Sequence, residues 1–259
     1  MLTSPQNPLV KQIRQLHTAK GRREEGLFIL EGTHLVEAAC AVNWDIMAVC
    51  CTPQWEERHR DLWELAVKRA DRTEQVSDRL IAAMTTTVNP DGVVAIARRR
   101  DQTPVPITSL GLVLETVQDP GNLGTMIRTA TAAGVEGLWL SSDSVDPTHP
   151  KVLRASAGAW FEVPIAVHSD LITQLSDIQK QGIQIVATRA DASLSYWEID
   201  LRPPTAIVLG NEGSGLSPDL TSLADYHIRV PLLGNVESLN VAICAALILY
   251  EAQRQRLDS

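Results

Sequence analysis

Between residues 111 and 210 five short apolar runs alternate with helical segments, and this rhythm restricts the fold more than any other feature of the chain. The runs are GLVLETV (111–117), GLWLS (137–141), VPIAV (163–167), IQIVAT (183–188) and AIVLG (206–210). Helical spacing separates them over 123–133, 150–159 and 171–180, and a last helix is expected over 238–254. Continuous apolar strands joined through helices predict a parallel sheet covered on both faces. Ligands of such sheets bind beyond the carboxyl ends of the strands. QDPGNLG (118–124) and GNEGSG (210–215) each follow a strand directly. Both glycine loops should therefore meet at one edge of one sheet.

The second loop, IVLGNEGSGLS (207–217), imitates a phosphate-binding loop and fails as one. Gly210 and Gly215 have the right spacing and Ser217 stands where the serine belongs, but Leu216 replaces the lysine that reaches the phosphates. Glu212 and Asp219 would repel a triphosphate, so a less anionic ligand is expected. Gly213-Ser-Gly215 lacks the third glycine of a dinucleotide fingerprint, which disfavours NAD and FAD. There is no H-E-x-x-H and no G-x-S-x-G, so neither a zinc site nor a nucleophile-elbow hydrolase is expected. Cys40, Cys50, Cys51 and Cys244 form no C-x-x-C pair, and buried thiols in a reducing cytoplasm are expected. No metal and no membrane span are expected, since no apolar run approaches 20 residues. MLTSPQNPLVKQ has no signal-peptide h-region.

DQTPVPITS (101–109) reads as a linker between a first part, 1–104, and a second, 105–259. In the first part LFILEG (27–32), IMAVCC (46–51) and GVVAIA (92–97) read as strands, with helices at HLVEAAC and WELAVKRA, giving a small α/β domain. This part carries 14 Lys/Arg and 14 Asp/Glu, whereas the second carries 9 and 17, so the net charge of −8 lies entirely in the second. Residues 1–23 hold Lys11, Arg14, Lys20, Arg22 and Arg23 without a carboxylate, and Arg98, Arg99 and Arg100 end the part. Such clusters can meet phosphates or stay solvated. The stretch LNVAICAALILY (239–250) is apolar on every helical face, so it must be buried all round, either within its own chain or against a partner chain as well.

In order and spacing, ETVQDPGNLGTMIRTATAAGVEGLWLS, DPTHPKVLRASAGAWFEVPI, IVLGNEGSGLS and RVPLLGNVESLNVAICAALILYEAQRQR resemble the SpoU/TrmH branch of the SPOUT RNA methyltransferases, over residues 111–255. SPQNPLVKQIRQL and REEGLFILEGTHLVEAA look like the small RNA-binding domain, similar to ribosomal protein L30e, that precedes many such catalytic domains. The resemblance implies an α/β fold with a parallel-sheet SPOUT domain tied in a deep trefoil knot, a homodimer through the last helix, and S-adenosylmethionine as methyl donor. The implied reaction is methylation of a ribose 2′-hydroxyl in RNA, ribosomal RNA by preference. Transfer RNA, base methylation and a non-catalytic RNA-binding relative are the alternatives. A sulfonium zwitterion suits a glycine loop with carboxylates and no lysine.

Carried over by motif, the resemblance places Leu209, Gly210, Val230, Gly234 and Leu239 around the donor, mostly through backbone and apolar surface. It gives catalytic roles to Asn122, Arg128, Glu212, Ser238 and Asn240. A guanidinium stays charged at neutral pH, so Arg128 is better cast as holding the RNA phosphate or hydroxyl oxygen than as a literal base. Helix capping would equally explain Asn122, Ser238 or Asn240, Glu212 is expected to orient Arg128 or the substrate, and Arg154 is a weaker candidate for an RNA phosphate.

Overall fold

The computed structural model describes residues 1–100 and 105–257. In chain order it contains α1 (Pro8–Gln15), α2 (Ala19–Glu25), β1 (Leu27–Glu31), α3 (Thr33–Ala41), β2 (Ile46–Cys51), α4 (Pro53–Arg58), α5 (Arg60–Arg69), β3 (Ala70–Gln75), α6 (Asp78–Met84) and β4 (Val93–Arg98). There follow β5 (Leu110–Leu114), α7 (Pro120–Ala132), β6 (Gly137–Ser141), α8 (Pro150–Ser156), β7 (Ile165–His168), α9 (Leu171–Lys180) and β8 (Gln184–Thr188). The chain ends with β9 (Leu194–Ser195), β10 (Thr205–Leu209), α10 (Pro218–Leu223), β11 (Tyr226–Arg229) and α11 (Val241–Leu257). Two compact units result. One is Met1–Asp101 with Thr148–Phe161; the other is Gln102–Pro147 with Glu162–Ser259.

The first unit is a four-stranded mixed sheet, β1-β4-β2-β3, in which β4 runs antiparallel to both neighbours and β2 parallel to β3. Period-2 alternation splits its side chains between two cores. Ile29, Ala48, Val94 and Ile96 pack under α1 and α6, while Phe28, Val49, Val93 and Ala95 pack under α3, α4 and α5. Leu153 of α8, from the Thr148–Phe161 excursion, joins the second core, and Trp160 and Phe161 lie tilted or edge-on against Phe28 and Trp44 at centroid distances of 5.2–5.3 Å. Arg154 on that excursion does not face solvent as a phosphate binder. Its Nη1 donates to buried Glu31, at 2.5 Å, and to Thr86 Oγ1, at 2.7 Å. Thr86 N–H and hydroxyl complete the ring around the carboxylate. Arg154→Ala leaves that carboxylate short of a partner and should lower unfolding stability by about 2 kcal/mol, measurable by urea titration.

The second unit is a seven-stranded, all-parallel sheet ordered β7-β6-β5-β10-β8-β11-β9. One face packs under α9 and α10 through Val113, Trp139, Ile185 and Val208. The other carries α7 and α11, which pack on each other. Strands β5, β6 and β7 step outward on one side, and β10 then returns to pair with β5 in register, Leu114 against Leu209. The loops after β5 and β10 are thus neighbours where the strand order reverses, the place where open α/β sheets take ligands.

Several expectations shift in detail. Residues 101–104 of the expected linker lie outside the described residues, but Val105 and Ile107 are buried, and Trp139 Nε1 donates to Val105 O. That half of the segment is part of the core of the second unit. The last helix begins at Val241, not at 238, and runs to Leu257. Strands β3, β9 and β11 were not anticipated, because ADRTEQ is polar throughout, LS is two residues long, and Ile228 is the sole buried side chain of YHIR.

Candidate functional site

Three loops converge at the carboxyl edge of β5 and β10. The loop after β10 closes on itself: Asn211 N and Gly215 O, and Gly215 N and Asn211 O, pair at 3.1 and 3.0 Å. Asn211 Oδ1 accepts from the amides of Gly213 and Ser214 at 2.8 and 3.1 Å, and its Nδ2 donates to Thr116 O at 2.9 Å. Gly210 faces this turn so closely that a Cβ would lie 2.3 Å from Gly215 C and O. Gly215 adopts φ +70°, the left-handed region that glycine enters without strain. The amide of Ser217 is taken by Glu115 Oε2 at 2.7 Å. The amides a phosphate would need are therefore engaged internally, one of them by a carboxylate, which explains physically why the loop cannot cradle a nucleotide polyphosphate.

The loop after β5 is equally fixed. Thr116 adopts φ +54°, an uncommon conformation for a β-branched residue. Its amide donates to Ser141 Oγ and its hydroxyl to Asp143 Oδ2, both at 2.8 Å. Hydrogen bonds from Ser141 and, secondarily, Thr116 hold the Asp143 carboxyl below the ordinary range against its partial desolvation. Sequence reading missed Thr116 and Asn211. The signal that could have found Asn211 is its place between Gly210 and Glu212 at the end of a strand.

Asn122 does not cap α7. Asp119 does, accepting from Asn122 N at 2.8 Å, and this frees the Asn122 side chain one turn into the helix. Asn122 Nδ2 donates to Glu212 Oε1, and Asn122 Oδ1 accepts from Asn240 Nδ2 at 2.9 Å. Asn240 also caps α11, its Oδ1 accepting from Ala242 N at 2.9 Å. One asparagine thus ties the β10 loop to the segment that enters the last helix. Glu212 pairs with Asn122 and not, as expected, with Arg128. Arg128 lies on the exposed side of α7, six residues or about 9 Å along the axis, with no hydrogen bond or ion pair among the described residues. Ser238 is exposed and outside the Asn122–Glu212–Asn240 link.

The expected donor residues surround the same edge. Leu209 and Gly210 are buried, Val230 and Leu239 half-buried, and Gly234 exposed with nothing within 4 Å of an added Cβ. Among the described residues, no main-chain amide from Leu232 to Leu239 donates a hydrogen bond within the chain. Unengaged amides beside apolar Val230 and Leu239 suit a ligand with an apolar ring, hydroxyls and a carboxylate. No group of three or more His, Cys, Asp or Glu among the described residues is placed to hold a metal, and no helix there is long and apolar enough to cross a membrane. The four cysteines are free thiols; burial pushes Cys50 and Cys51 up to about 12.

A model described as the SpoU rRNA Methylase family matches residues 109–250, and one of an MRM3-like substrate binding domain matches residues 7–95. The chain is 47% identical, over 98% of its length and 94% of the relative's, to an uncharacterized tRNA/rRNA methyltransferase of Synechocystis sp.. It is 32% identical to the 23S rRNA (guanosine(2553)-2′-O)-methyltransferase RlmP of Bacillus subtilis, covering 96% of this chain and 97% of that one. The crystal structure of an AdoMet-bound rRNA methyltransferase from Sinorhizobium meliloti superposes with a TM-score of 0.86 at 33% identity, over 98% of this chain and 97% of that one. The fold, the convergence of the three loops and this similarity along the whole chain agree that the protein belongs to the SpoU rRNA methylase family.

Proposed function

We propose that the protein transfers a methyl group from S-adenosylmethionine to a ribose 2′-hydroxyl of ribosomal RNA. The observation that carries this reading is the Asn122–Glu212–Asn240 link, which holds three loops together beside the unengaged main chain of 232–239. Full-length similarity to 23S rRNA 2′-O-methyltransferases favours ribosomal over transfer RNA and ribose over base.

When bound, S-adenosylmethionine supplies an electrophilic methyl on a sulfonium. Gly210 lets the β10 turn close beside buried Leu209. Val230 and Leu239 would offer apolar surface for the adenosine, and the amides around Gly234 would take its polar atoms. Arg128, exposed and without a partner among the described residues, would hold the RNA phosphate or the 2′-oxygen within reach of the methyl. Holding the nucleophile in reach removes several kcal/mol from the barrier, and a nearby cation favours the developing alkoxide. The 2′-proton passes to phosphate or water. Glu212 accepts from Asn122 and so sets the β10 turn against α7; Ser238, exposed on the donor segment, is assigned to the substrate. Glu212→Ala should lower kcat about 100-fold by misplacing that edge, while melting temperature, for so exposed a bond, barely moves. A Glu212→Ala enzyme with wild-type kcat would remove this role.

The protein is further proposed to be a cytoplasmic homodimer with a knotted second unit. Support for the dimer comes from α11. Its Val241, Ala245, Ile248 and Leu249 are buried within the chain, but Ile243 and Tyr250 are each 49% exposed and line, with Tyr196 and Leu247, a concavity of about 440 Å³. Ile243→Glu with Tyr250→Glu should convert a dimer to monomers in light scattering; an unchanged mass would move the interface elsewhere.

The deciding assay is methyl transfer from labelled S-adenosylmethionine to protein-free 23S RNA. Label must appear in an alkali-stable dinucleotide, because a methylated 2′-oxygen cannot cleave its neighbouring phosphodiester. Label in a base would refute the ribose assignment.

A further inference from the structure

We infer that the corner between α1 and α2 is the face on which the first unit docks folded RNA, through the phosphate contacts of Lys11, Arg14 and Arg23. This rests on the RNA-methyltransferase reading above, and goes beyond it by choosing one of the two helical layers of the unit.

The corner is built to be rigid. Arg22 is 1% exposed, and its Nη1 donates to the carbonyls of Leu16 and His17, which α1 leaves unsatisfied at its end. Thr18 caps α2 by accepting from Gly21 N at 3.0 Å. Gly21 must be glycine, since a Cβ there would meet Gln15 O at 2.2 Å. A buried arginine, a cap and a close backbone approach thus fix the angle between two short helices. Leu9, Val10, Ile13 and Leu16 anchor α1 in the core beneath. Stability of α1 needs the apolar face alone, so the chemistry of the opposite face is available for another purpose.

That opposite face presents cations without partners. Lys11, Arg14 and Arg23 are exposed and make no hydrogen bond or ion pair among the described residues. The carboxylates of α2 are turned to other groups, Glu25 to Gln12 Nε2 at 3.1 Å and Glu24 to Lys20 at 3.7 Å. Some other surface arginines are matched at 2.7–2.8 Å: Arg72 by Glu74, Arg98 by Asp45 and Asp71, Arg189 by Asp191, Arg202 by Asp200. What sets the corner apart is that residues 1–23 carry five cations and no carboxylate. On the opposite layer Arg58, Arg60 and Lys68 are also exposed, but Glu57, Asp61 and Glu64 are interleaved with them. Lys11 and Arg14, three residues apart, lie about 5–6 Å apart at Cβ, a spacing suited to neighbouring phosphates of one strand. Folded RNA is recognised largely through such backbone contacts and shape.

The test compares two glutamine triples in the full-length protein that remove equal charge: Lys11→Gln, Arg14→Gln, Arg23→Gln, and Arg58→Gln, Arg60→Gln, Lys68→Gln. Binding of protein-free 23S RNA is followed by filter retention between about 50 and 200 mM salt. The corner triple should weaken binding by at least about 30-fold and flatten the plot of log K against log salt by about 2. The opposite triple should stay within about threefold of wild type. Equal losses, or none, overturn the inference. Should the corner triple also lose melting temperature, the charge-keeping variant Arg14→Lys, Arg23→Lys decides: it must bind as wild type does, and weak binding overturns the inference too. Calorimetric affinity for S-adenosylmethionine should be the same in all of them. A wild-type protein that binds RNA through this corner yet methylates no ribose would refute the activity and leave the surface standing.

Discussion

Arg128→Ala should reduce methyl transfer by about 10³-fold or more, the scale seen when a single preorganised charge-stabilising donor is removed, while the dissociation constant for S-adenosylmethionine stays within about threefold. The separation follows from position. Arg128 has no partner among the described residues, so its removal disturbs no bond seen there, and the segments proposed to bind the donor, 209–215 and 230–239, do not contain it. Calorimetry with the donor and a tritium-transfer assay on 23S RNA read the two quantities independently. Arg128→Lys keeps the charge but loses the planar fork, so it should recover part of the rate and not all of it. Equal loss of donor affinity and rate in Arg128→Ala would place the residue in the donor pocket and undo the assignment of roles.

Gly210→Ala should act in the opposite sense. The added methyl would sit 2.3 Å from main-chain atoms of Gly215 and 2.5 Å from Leu216 N, and backbone cannot rotate out of the way as a side chain can. The turn must open, which costs about 1–3 kcal/mol and misplaces the loop proposed to lie against the donor. Affinity for S-adenosylmethionine should fall at least about tenfold, with a lower melting temperature. Gly213→Ala is the internal control: its Cβ meets only Asn211 Oδ1, at 3.4 Å, and its effect should be small. Gly234→Ala separates ligand from packing. Nothing in the chain lies within 4 Å of its Cβ, so a loss of donor affinity at unchanged stability would show that the ligand itself passes close to that backbone. If Gly210→Ala binds the donor normally, the turn is not part of the cofactor site.

The pattern of the second unit was legible because its inner strands β6, β5, β10 and β8 are largely buried. Runs such as GLWLS and AIVLG have no polar face to confuse the reading, and β6 and α9 fall on the expected residues. Edge strands were not legible. Ala70–Gln75 of β3 is held as a strand by its register against Ile46–Cys51, not by its own polar residues. The Thr148–Phe161 excursion could not be assigned from its sequence either, since RASAGA reads simply as a helix; Arg154 reveals its place only once Glu31 is seen buried beside it. At the candidate site, residue types and spacing singled out Asn122, Glu212 and Asn240 but not the hydrogen bonds that join them. Asn122 looked like a cap because it stands just before the helix expected from residue 123, yet Asp119 three residues earlier takes that role and releases Asn122 to bridge Glu212 and Asn240. Contacts across 90 and 118 positions of sequence depend on the sheet order, which no local pattern encodes.

The central claim is that this edge of the sheet methylates a ribose oxygen in ribosomal RNA. Its most direct test is to incubate the purified protein with protein-free 23S RNA and methyl-labelled S-adenosylmethionine, digest the RNA with alkali, and separate mononucleotides from resistant dinucleotides. Label confined to one resistant dinucleotide, and missing with Arg128→Ala, is the predicted result. Label that migrates with mononucleotides, or RNA left unlabelled by an enzyme that binds the donor, would contradict it.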